Sequence, residues 1–344
     1  MVKFISVIIP CRNEEKFIAG CLDCVLGQDY SLEQMEILIV DGGSTDDTRK
    51  ILEAYAQKTP QVRWFDNPGK IVPTGLNILI GKARGDVVVR LDAHAEYPKD
   101  YISKCVCSLI NTGADNVGGV CVTLPGANTL TAKAIALVLA SNFGVGNALF
   151  RTGVKEITPA DTVPFGCFRK DVFDRFGLFD EDLVRGQDSE FNHRIIKNGG
   201  KIFLLPDVVS YYHARDTFSK LARMYSQYGY FKAFVSKKLQ MVLTVRQLVP
   251  SLFVILLGLS LVAGLLNPWF YLSFAAVFGL YLITNLIFSV KIAIAHEVWL
   301  LPFLITGFLI IHINYGIHYL RGICDFWILR KHHHNKISDV PLTR

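Results

Sequence analysis

Short apolar runs separated by polar stretches fill the first two thirds of the chain. Apolar segments at 5–10, 35–40 and 62–65 are short enough for buried strands, and DVVVRLDAH adds a fourth that ends near residue 91. Amphipathic stretches suited to helices lie between them, ending near Leu26 and beginning near Thr48 and Thr74. This alternation of strand and helix predicts an α/β fold with a mostly parallel sheet, right-handed crossovers and helices on both faces.

The last third of the chain has a different pattern. Between Arg246 and Lys291 there are 44 consecutive uncharged residues, and between Glu297 and Arg321 there are 23. A helix of about 20 apolar residues crosses a bilayer core. The first run therefore predicts two spans, about 249–266 and 269–290, with Asn267-Pro268 as the break. The second run predicts a weaker span at 298–320, because it contains histidines and an asparagine.

The charges around these runs predict an orientation but leave one conflict. The chain begins with a strand pattern and not with a secretory signal, so we expect residues 1–235 to face the cytosol. A third crossing would place the basic residues after 320 on the outside, against the positive-inside tendency. We therefore favour a re-entrant or interfacial segment at 298–320 over a full crossing. The sequence predicts a multi-pass protein of the inner (cytoplasmic) membrane.

Composition excludes several classes of protein. Of the 344 residues, 51% are hydrophobic and 19% charged, which excludes a disordered or collagen-like chain. The net charge of +6 is modest and no long basic block occurs before the tail, which argues against nucleic acid as a partner. The eight cysteines lack the paired spacing of a zinc site.

Polar side chains follow the predicted strands where ligands of parallel sheets bind. Asp41 follows the second strand, and Asp92 and His94 follow the fourth. No G-x-G-x-x-G follows the first strand and no G-x-x-x-x-G-K-[ST] is present, which argues against a dinucleotide site and a P-loop. The pattern favours a cleft for a polar, phosphorylated ligand.

Four motifs in order carry a resemblance to a known family. SVIIPCRNEEKFI, LIVDGGSTDDT, ARGDVVVRLDAH and FGLFDEDLVRGQDSEFNHRI are similar to the family 2 glycosyltransferases with a GT-A fold, over roughly residues 4–230. RLDAHAEYP together with C-terminal membrane helices resembles the succinoglycan-biosynthesis glucosyltransferase branch. The resemblance implies transfer of a sugar from a nucleotide diphosphate sugar, with inversion and a divalent metal, Mg²⁺ or Mn²⁺.

The resemblance also implies a donor site. It places Pro10, Arg12 and Glu14 in the nucleoside pocket, and Asp41 as the acceptor of a hydrogen bond from the base. Lys70 falls where the family often has a basic residue near the donor, although a solvated loop lysine is a comparable interpretation.

The metal ligands implied by the resemblance are Asp92 and, in place of the family's second aspartate, His94. Imidazole binds divalent ions and favours Mn²⁺ over Mg²⁺. His94 could instead hydrogen-bond a phosphate, which would leave Asp92 as the metal ligand. His213 is a further metal candidate, but a lone histidine is more often structural.

For the acceptor, GQDSEF resembles the family's Glu-Asp motif, with Gln187 in place of the glutamate. Asp188 is the predicted catalytic base, and a helix-capping role is the alternative interpretation. Gly166 and Gln187 are predicted to lie on the acceptor side of the site.

These inferences predict a function. The processive synthases of the family carry Gln-x-x-Arg-Trp after the base, and this chain does not, which favours addition of one sugar per encounter. We expect glucose from UDP-glucose to pass to a lipid-linked saccharide in exopolysaccharide or cell-surface glycan synthesis. A polyprenyl-phosphate acceptor is an alternative. A nucleotide-binding scaffold or transporter is another, although acid-free spans argue against transport.

The predicted organisation is a glycosyltransferase domain at 1–235, an interfacial linker at 236–248, a membrane domain at 249–330 and a basic tail at 331–344. Residues 219–248 carry six lysines and arginines among aromatic residues, which suits an interfacial stretch at anionic headgroups and equally a solvated amphipathic helix.

Overall fold

The computed structural model describes residues 4–241 and 244–330. Within them the chain forms two compact units. The first contains residues up to 122 together with 152–212, and the second contains 123–151 together with the residues from 213 onward. The predicted basic tail at 331–344 and two residues of the predicted linker lie outside the described residues.

The first four strands of the first unit are parallel, as predicted. They are β1 (Ile5–Cys11), β2 (Met35–Asp41), β3 (Val62–Asp66) and β4 (Val87–Arg90), in the order β3-β2-β1-β4. Cys11 pairs in register with Asp41, and Ile8 pairs with Arg90. The polar loops that follow these strands therefore leave the same edge of the sheet.

Helices connect these strands in the positions that the pattern predicts. They are α1 (Ile18–Leu26), α2 (Thr48–Lys58) and α3 (Val72–Lys82); a further helix, α4 (Tyr101–Thr112), follows the fourth strand. Pro73 lies in the first turn of α3, where a missing N–H costs no helical hydrogen bond. Gly113 ends α4 with a φ of 62°, a conformation that glycine adopts without steric cost.

The other half of the sheet is antiparallel, so the sheet is mixed. Its strands are β5 (Ala95–Glu96), β6 (Asn116–Leu124), β7 (Thr158–Pro159), β8 (Cys167–Arg169) and β9 (Ile202–His213). The order continues β4-β8-β6-β9-β5, and β7 pairs with β9. The expected parallel arrangement is thus limited to the first four strands, because β8 returns beside β4 in the opposite direction. Two further helices of this unit are α8 (Asp171–Phe176) and α9 (Gln187–Lys197).

The second unit is helical. It contains α5 (Leu130–Ala140), α6 (Asn142–Val145), α7 (Leu149–Thr152), α10 (Phe218–Leu239), α11 (Val249–Leu266), α12 (Phe270–Ala295) and α13 (Leu301–Ile323), which continues into a π-helical turn at Cys324–Ile328. The helices α5 and α10 of this unit begin before residue 235, the predicted end of the glycosyltransferase domain. Ser226 of α10 donates to Asn314 of α13 at 3.2 Å, and His312 is 2.9 Å from the carbonyl oxygen of Phe143.

Among the described residues of this unit, three helices are long and apolar enough to cross a membrane. Two of them, α11 and α12, overlap the segments 249–266 and 269–290 that were predicted as spans, and their crossing of a membrane stays a prediction. The third, α13, is one unbroken helix, without the turn that a re-entrant segment needs. Pro302 does not interrupt it because this proline lies in its first turn. Its histidines have partners inside the unit: His312 lies 2.9 Å from the Phe143 carbonyl oxygen, and His318 bonds to the Asn314 carbonyl oxygen at 2.8 Å.

Candidate active site

The turn after β2 is built around the Asp41 carboxylate. This side chain is completely buried and accepts hydrogen bonds from the backbone N–H groups of Gly43 and Ser44, and from the Ser44 hydroxyl. Arg49 of α2 donates from Nε to the same carboxylate at 2.6 Å. Asp41 therefore fixes the shape of the turn, and its predicted bond to a nucleotide base remains a prediction.

The loop after β1 is tied to this turn. Asn13 has a left-handed backbone with φ 54°, and its side-chain oxygen accepts from the Thr45 N–H at 2.8 Å. The Glu14 N–H donates to the Thr48 hydroxyl at 2.8 Å. Pro10, Arg12 and Glu14, predicted to line a nucleoside pocket, thus belong to a loop with a fixed geometry.

Lys70 lies beside the same turn. Its own backbone is left-handed, with φ 60°, and a methyl group built on Gly43 would contact its Cε at 3.6 Å. The structure therefore brings together three parts of the predicted donor site: the β1 loop, the β2 turn and Lys70.

Asp92 and His94 lie in the loop that follows β4, at the same edge of the sheet as the β1 loop and the β2 turn. The Asp92 N–H donates to the Tyr97 hydroxyl at 2.9 Å, which holds the peptide in place. The His94 Nδ1 is 3.2 Å from the Glu14 Oε1. The metal motif and the predicted nucleoside loop therefore meet at the His94–Glu14 contact.

Asp188 reaches the same place from a distant part of the chain. It lies in the first turn of α9, which starts after Gly186 with a φ of 81°. Arg90 donates from one terminal nitrogen to Asp92 Oδ1 at 2.7 Å and from the other to Asp188 Oδ2 at 3.1 Å. The predicted base and the predicted metal ligand are therefore joined through one buried guanidinium.

The surroundings of Asp188 alter its acidity. Burial raises the pKa of the Asp188 carboxyl above its ordinary value; the Arg90 guanidinium lowers this pKa, and the Asp92 carboxylate raises it. The net direction is upward. A higher pKa makes Asp188 a better proton acceptor near neutral pH than an ordinary aspartate.

The residues around Asp92 can hold a divalent cation only with help from a ligand. Among residues 4–241 and 244–330, no three His, Cys, Asp or Glu side chains form a group that could bind a metal. The side chains of Asp92 and His94 are 22% and 25% exposed, so both are accessible. Magnesium commonly takes one or two protein carboxylates and completes its shell with phosphate oxygens. The residues thus fit a cation shared with a diphosphate.

Three other residues predicted for the site, Gly166, Gln187 and His213, are described by their packing and position in the fold. A methyl group on Gly166 would overlap the Phe168 ring and the Asn116 side-chain oxygen, so packing alone requires glycine there. Gln187 is nearly buried at the start of α9. His213 ends β9 and belongs to the second unit. Their proposed roles remain predictions.

Sequence reasoning missed Arg90 and Tyr97. Arg90 had a detectable signal, since a charged residue at the end of the apolar strand VVVR must find partners when it is buried. The sequence held no comparable signal for Tyr97, because its contact with the Asp92 backbone depends on the conformation of the turn between them.

Comparison with known proteins identifies the class. The family described as glycosyl transferase family 2 matches residues 6–177. The chain belongs to this family and is a glycosyltransferase, which confirms the prediction of an enzyme over a scaffold or transporter.

Two relatives match most of the chain. A dolichyl N-acetyl-α-D-glucosaminyl phosphate 3-β-D-2,3-diacetamido-2,3-dideoxy-β-D-glucuronosyltransferase of Methanococcus voltae is 30% identical, covering 69% of this chain and 75% of the relative. The succinoglycan biosynthesis protein ExoA of Rhizobium meliloti is 31% identical, covering 71% and 73%. The second match confirms the resemblance to the succinoglycan branch.

Solved structures confirm the GT-A fold. The mannosyltransferase PcManGT from Pyrobaculum calidifontis, in complex with GDP-Man and Mn²⁺, has a TM-score of 0.57 at 20% identity, covering 90% of this chain and 87% of that one. Residues 1–349 of S. aureus TarS give a TM-score of 0.51 at 17% identity, covering 95% and 92%.

Proposed function

We propose that this chain is a membrane-anchored inverting glycosyltransferase that moves one sugar, glucose from UDP-glucose, to a lipid-linked saccharide. The product would serve exopolysaccharide or cell-surface glycan synthesis. The enzyme would lie in the cytoplasmic membrane as a multi-pass protein, with its catalytic residues on the cytosolic side.

One observation carries the proposal. Asp92 and Asp188 lie 96 positions apart in the sequence, yet both contact the Arg90 guanidinium, at 2.7 and 3.1 Å. An inverting transfer needs a group that holds the leaving diphosphate and a base that faces the attacking hydroxyl. Two carboxylates joined in this way supply both groups at one site.

Each residue then has a role in the transfer. Asp188 accepts the proton of the acceptor hydroxyl while that oxygen bonds to the anomeric carbon, and the bond from this carbon to the diphosphate oxygen breaks. Asp92 and His94 would hold a divalent cation at the diphosphate end of the donor, because a carboxylate by itself repels an anionic diphosphate. A bound divalent cation would neutralise the charge that grows on the leaving diphosphate. Asp41, Arg12 and Lys70 lie where the nucleoside would bind, with Pro10 and Glu14 in the adjoining loop.

The names of relatives support a lipid-linked acceptor. The Methanococcus voltae relative is named for a dolichyl phosphate sugar. A lipid-linked acceptor is confined to the membrane, and three helices suited to cross a membrane would raise the local concentration of enzyme beside it. The GDP-Man and Mn²⁺ bound to PcManGT support a nucleotide sugar and a metal in general, without fixing the sugar.

The test is transfer of radiolabel from a panel of nucleotide sugars into extractable lipid, using membranes that contain the full chain. We expect UDP-glucose to give labelled lipid with Mn²⁺ or Mg²⁺. Asp188→Asn should lower the rate by about 100-fold or more while donor binding persists, because it removes only the proton acceptor. The control is Asp174→Asn, an exposed position on α8. No transfer from any donor would refute the proposal.

A polyprenyl phosphate is a second candidate acceptor. The undecaprenyl-phosphate 4-deoxy-4-formamido-L-arabinose transferase of Pseudomonas fluorescens is 32% identical over 122 residues, or 35% of this chain. Supplying undecaprenyl phosphate or a lipid-linked saccharide in parallel reactions separates the two. Label on undecaprenyl phosphate alone would favour the second candidate.

A further inference from the structure

We propose that Arg90 is a positioning residue that sets the separation between the donor-holding Asp92 and the base Asp188. This inference rests on the proposed function, because it assigns Arg90 a part in the same transfer. Arg90 need not touch the reacting atoms, since it acts through the two carboxylates.

The contacts of Arg90 favour a spacer over a simple ion pair. Its two terminal nitrogens each bind a different carboxylate, one in the loop after β4 and one at the start of α9. The guanidinium is planar and rigid, so the distance between its nitrogens fixes how far apart the two bound oxygens lie. It uses Oδ1 of Asp92 and Oδ2 of Asp188, and leaves the other oxygen of each carboxylate for other contacts.

The surroundings prevent the guanidinium from turning away. Arg90 is only 5% exposed, and its guanidinium carbon lies 5.7 Å from the centroid of the Phe165 ring. Phe165 has a left-handed backbone, with φ 47°, and its carbonyl oxygen accepts from the Tyr101 hydroxyl at 3.2 Å. The Arg90 N–H donates to the Gly166 carbonyl oxygen at 2.9 Å. Both the backbone and the ring that faces the guanidinium are therefore held.

Charge gives a second reason for arginine at this position. Two carboxylates in a partly buried site repel each other, and one permanent cation between them offsets this repulsion. Arg90 keeps the pair together with a net charge of −1 across the three groups. A lysine would retain the charge, but its single ammonium nitrogen cannot reproduce the two-pronged contact.

The experiment compares Arg90→Lys, Arg90→Met, Asp188→Asn and the double variant Arg90→Met/Asp188→Asn, all in the full chain in membranes. The readouts are single-turnover transfer rate, donor binding and thermal stability, with the nucleotide sugar that the wild type transfers. Arg175→Lys is the matched control, since Arg175 also binds a buried carboxylate, Asp115 at 2.6 Å, within the same unit.

We expect Arg90→Lys to remain folded and to lose about 100-fold in transfer rate, because a displacement near 1 Å in a reacting group has an effect of this size. Donor binding should weaken by a much smaller factor. The double variant should be slower than Asp188→Asn only by the small factor by which Arg90→Met weakens donor binding, since the rest of the effect of Arg90 passes through Asp188. Arg175→Lys should keep the wild-type rate.

Three results overturn the inference. They are a wild-type rate in Arg90→Lys, equal losses in transfer rate and donor binding, and a double variant as slow as the product of the two single effects. If the wild type transfers no sugar from any donor, the proposed function fails and the role of Arg90 fails with it. If the wild type is active but the effects of Arg90→Met and Asp188→Asn on the transfer rate multiply in the double variant, the role of Arg90 is refuted and the proposed function stands.

Discussion

The acidity of one side chain, Asp188, sets the pH range in which the enzyme should work. Its pKa is raised above the ordinary aspartate value of 3.8, first by burial, with Arg90 lowering it and Asp92 raising it. Only the ionised carboxylate can accept the proton from the acceptor hydroxyl. The rate of transfer should therefore fall as the pH drops through this raised pKa, earlier than for an exposed aspartate.

The measurement is the single-turnover rate from about pH 8 down to about pH 4.5, where an ordinary aspartate is still largely ionised. Enzyme held at the lowest pH and returned to neutral pH must recover its rate, which separates titration from unfolding. A rate that stays constant down to the lowest pH would contradict a base with a raised pKa.

A second residue-scale prediction concerns the divalent cation. Chelation should abolish transfer, and either Mn²⁺ or Mg²⁺ should restore it. His94→Gln should raise the Mn²⁺ concentration for half-maximal rate by about tenfold and affect Mg²⁺ less, because imidazole favours the softer ion. Glu96→Gln, an exposed position two residues further on, is the control. An unchanged Mn²⁺ dependence in His94→Gln would indicate that His94 contacts a phosphate instead.

At the scale of elements, a buried glutamate joins three parts of the parallel sheet. Glu36 of β2 is 2% exposed; it accepts from the Ser6 hydroxyl of β1 at 2.6 Å and from the Arg84 N–H before β4 at 2.7 Å. Arg63 of β3 donates to it at 2.6 Å. Burial by itself would raise the pKa of Glu36, but the bonds from Ser6 and Arg84 outweigh it and lower the pKa.

Glu36→Gln should therefore lower the free energy of unfolding by about 2 kcal/mol at neutral pH, because it removes charge-assisted hydrogen bonds. A carboxyl with a lowered native pKa contributes its full stability above its unfolded pKa, about 4.3, and loses it as the pH falls through the native value. The gap between wild type and variant should therefore close on acidification. Denaturant unfolding at several pH values measures it, and a gap that widens toward acid would contradict the assignment.

The sequence predicted correctly those elements whose apolar and polar residues follow a simple pattern. The strands β1 to β4 are apolar runs with polar residues at their ends, and their parallel order follows from the helices between them. The antiparallel strands were harder to predict from the sequence. Cys167–Arg169 has only three residues, and its place beside β4 depends on long-range pairing, which short-range periodicity does not encode.

The candidate site was predictable only as far as its motifs. Asp41, Asp92 and Asp188 each stand out at the end of a strand or the start of a helix, so their positions could be read from the sequence. The contact between Arg90 and Asp188 could not be predicted in this way, because these residues are 98 positions apart and come together only in the folded protein. A search for charged residues inside apolar strands would have marked Arg90 without identifying its partners.

At the scale of the whole molecule, the chain passes between its two units three times, near residues 122, 151 and 212. The unit that contains the helices suited to the membrane is therefore built from two separate parts of the sequence. The α10 helix, which has charged and aromatic residues, also contacts the π-helical turn that follows α13: Tyr230 donates to Asp325 at 3.1 Å, and Lys237 donates to the Phe326 carbonyl oxygen at 2.6 Å.

The close approach of α10 and α13 depends on small residues. A methyl group on Gly322 would lie 2.7 Å from both the Ala233 Cβ and the Tyr230 carbonyl oxygen, so any side chain there must push the helices apart. Small residues at such contacts are typical of helix packing in membranes. Gly258 of α11 offers the opposite case, because a methyl group there would meet nothing within 4 Å.

Gly322→Leu should therefore destabilise the second unit by about 1–3 kcal/mol, the usual effect of overpacking, whereas Gly258→Leu should change stability little. Thermal unfolding of the full chain in one detergent compares the two variants, which add the same side chain to helices of the same unit. If α10 is held to α13 by this contact, protease should also cut between residues 218 and 239 faster in Gly322→Leu than in Gly258→Leu. Equal melting temperatures and equal cleavage would mean that the position of α10 is maintained by its polar contacts alone.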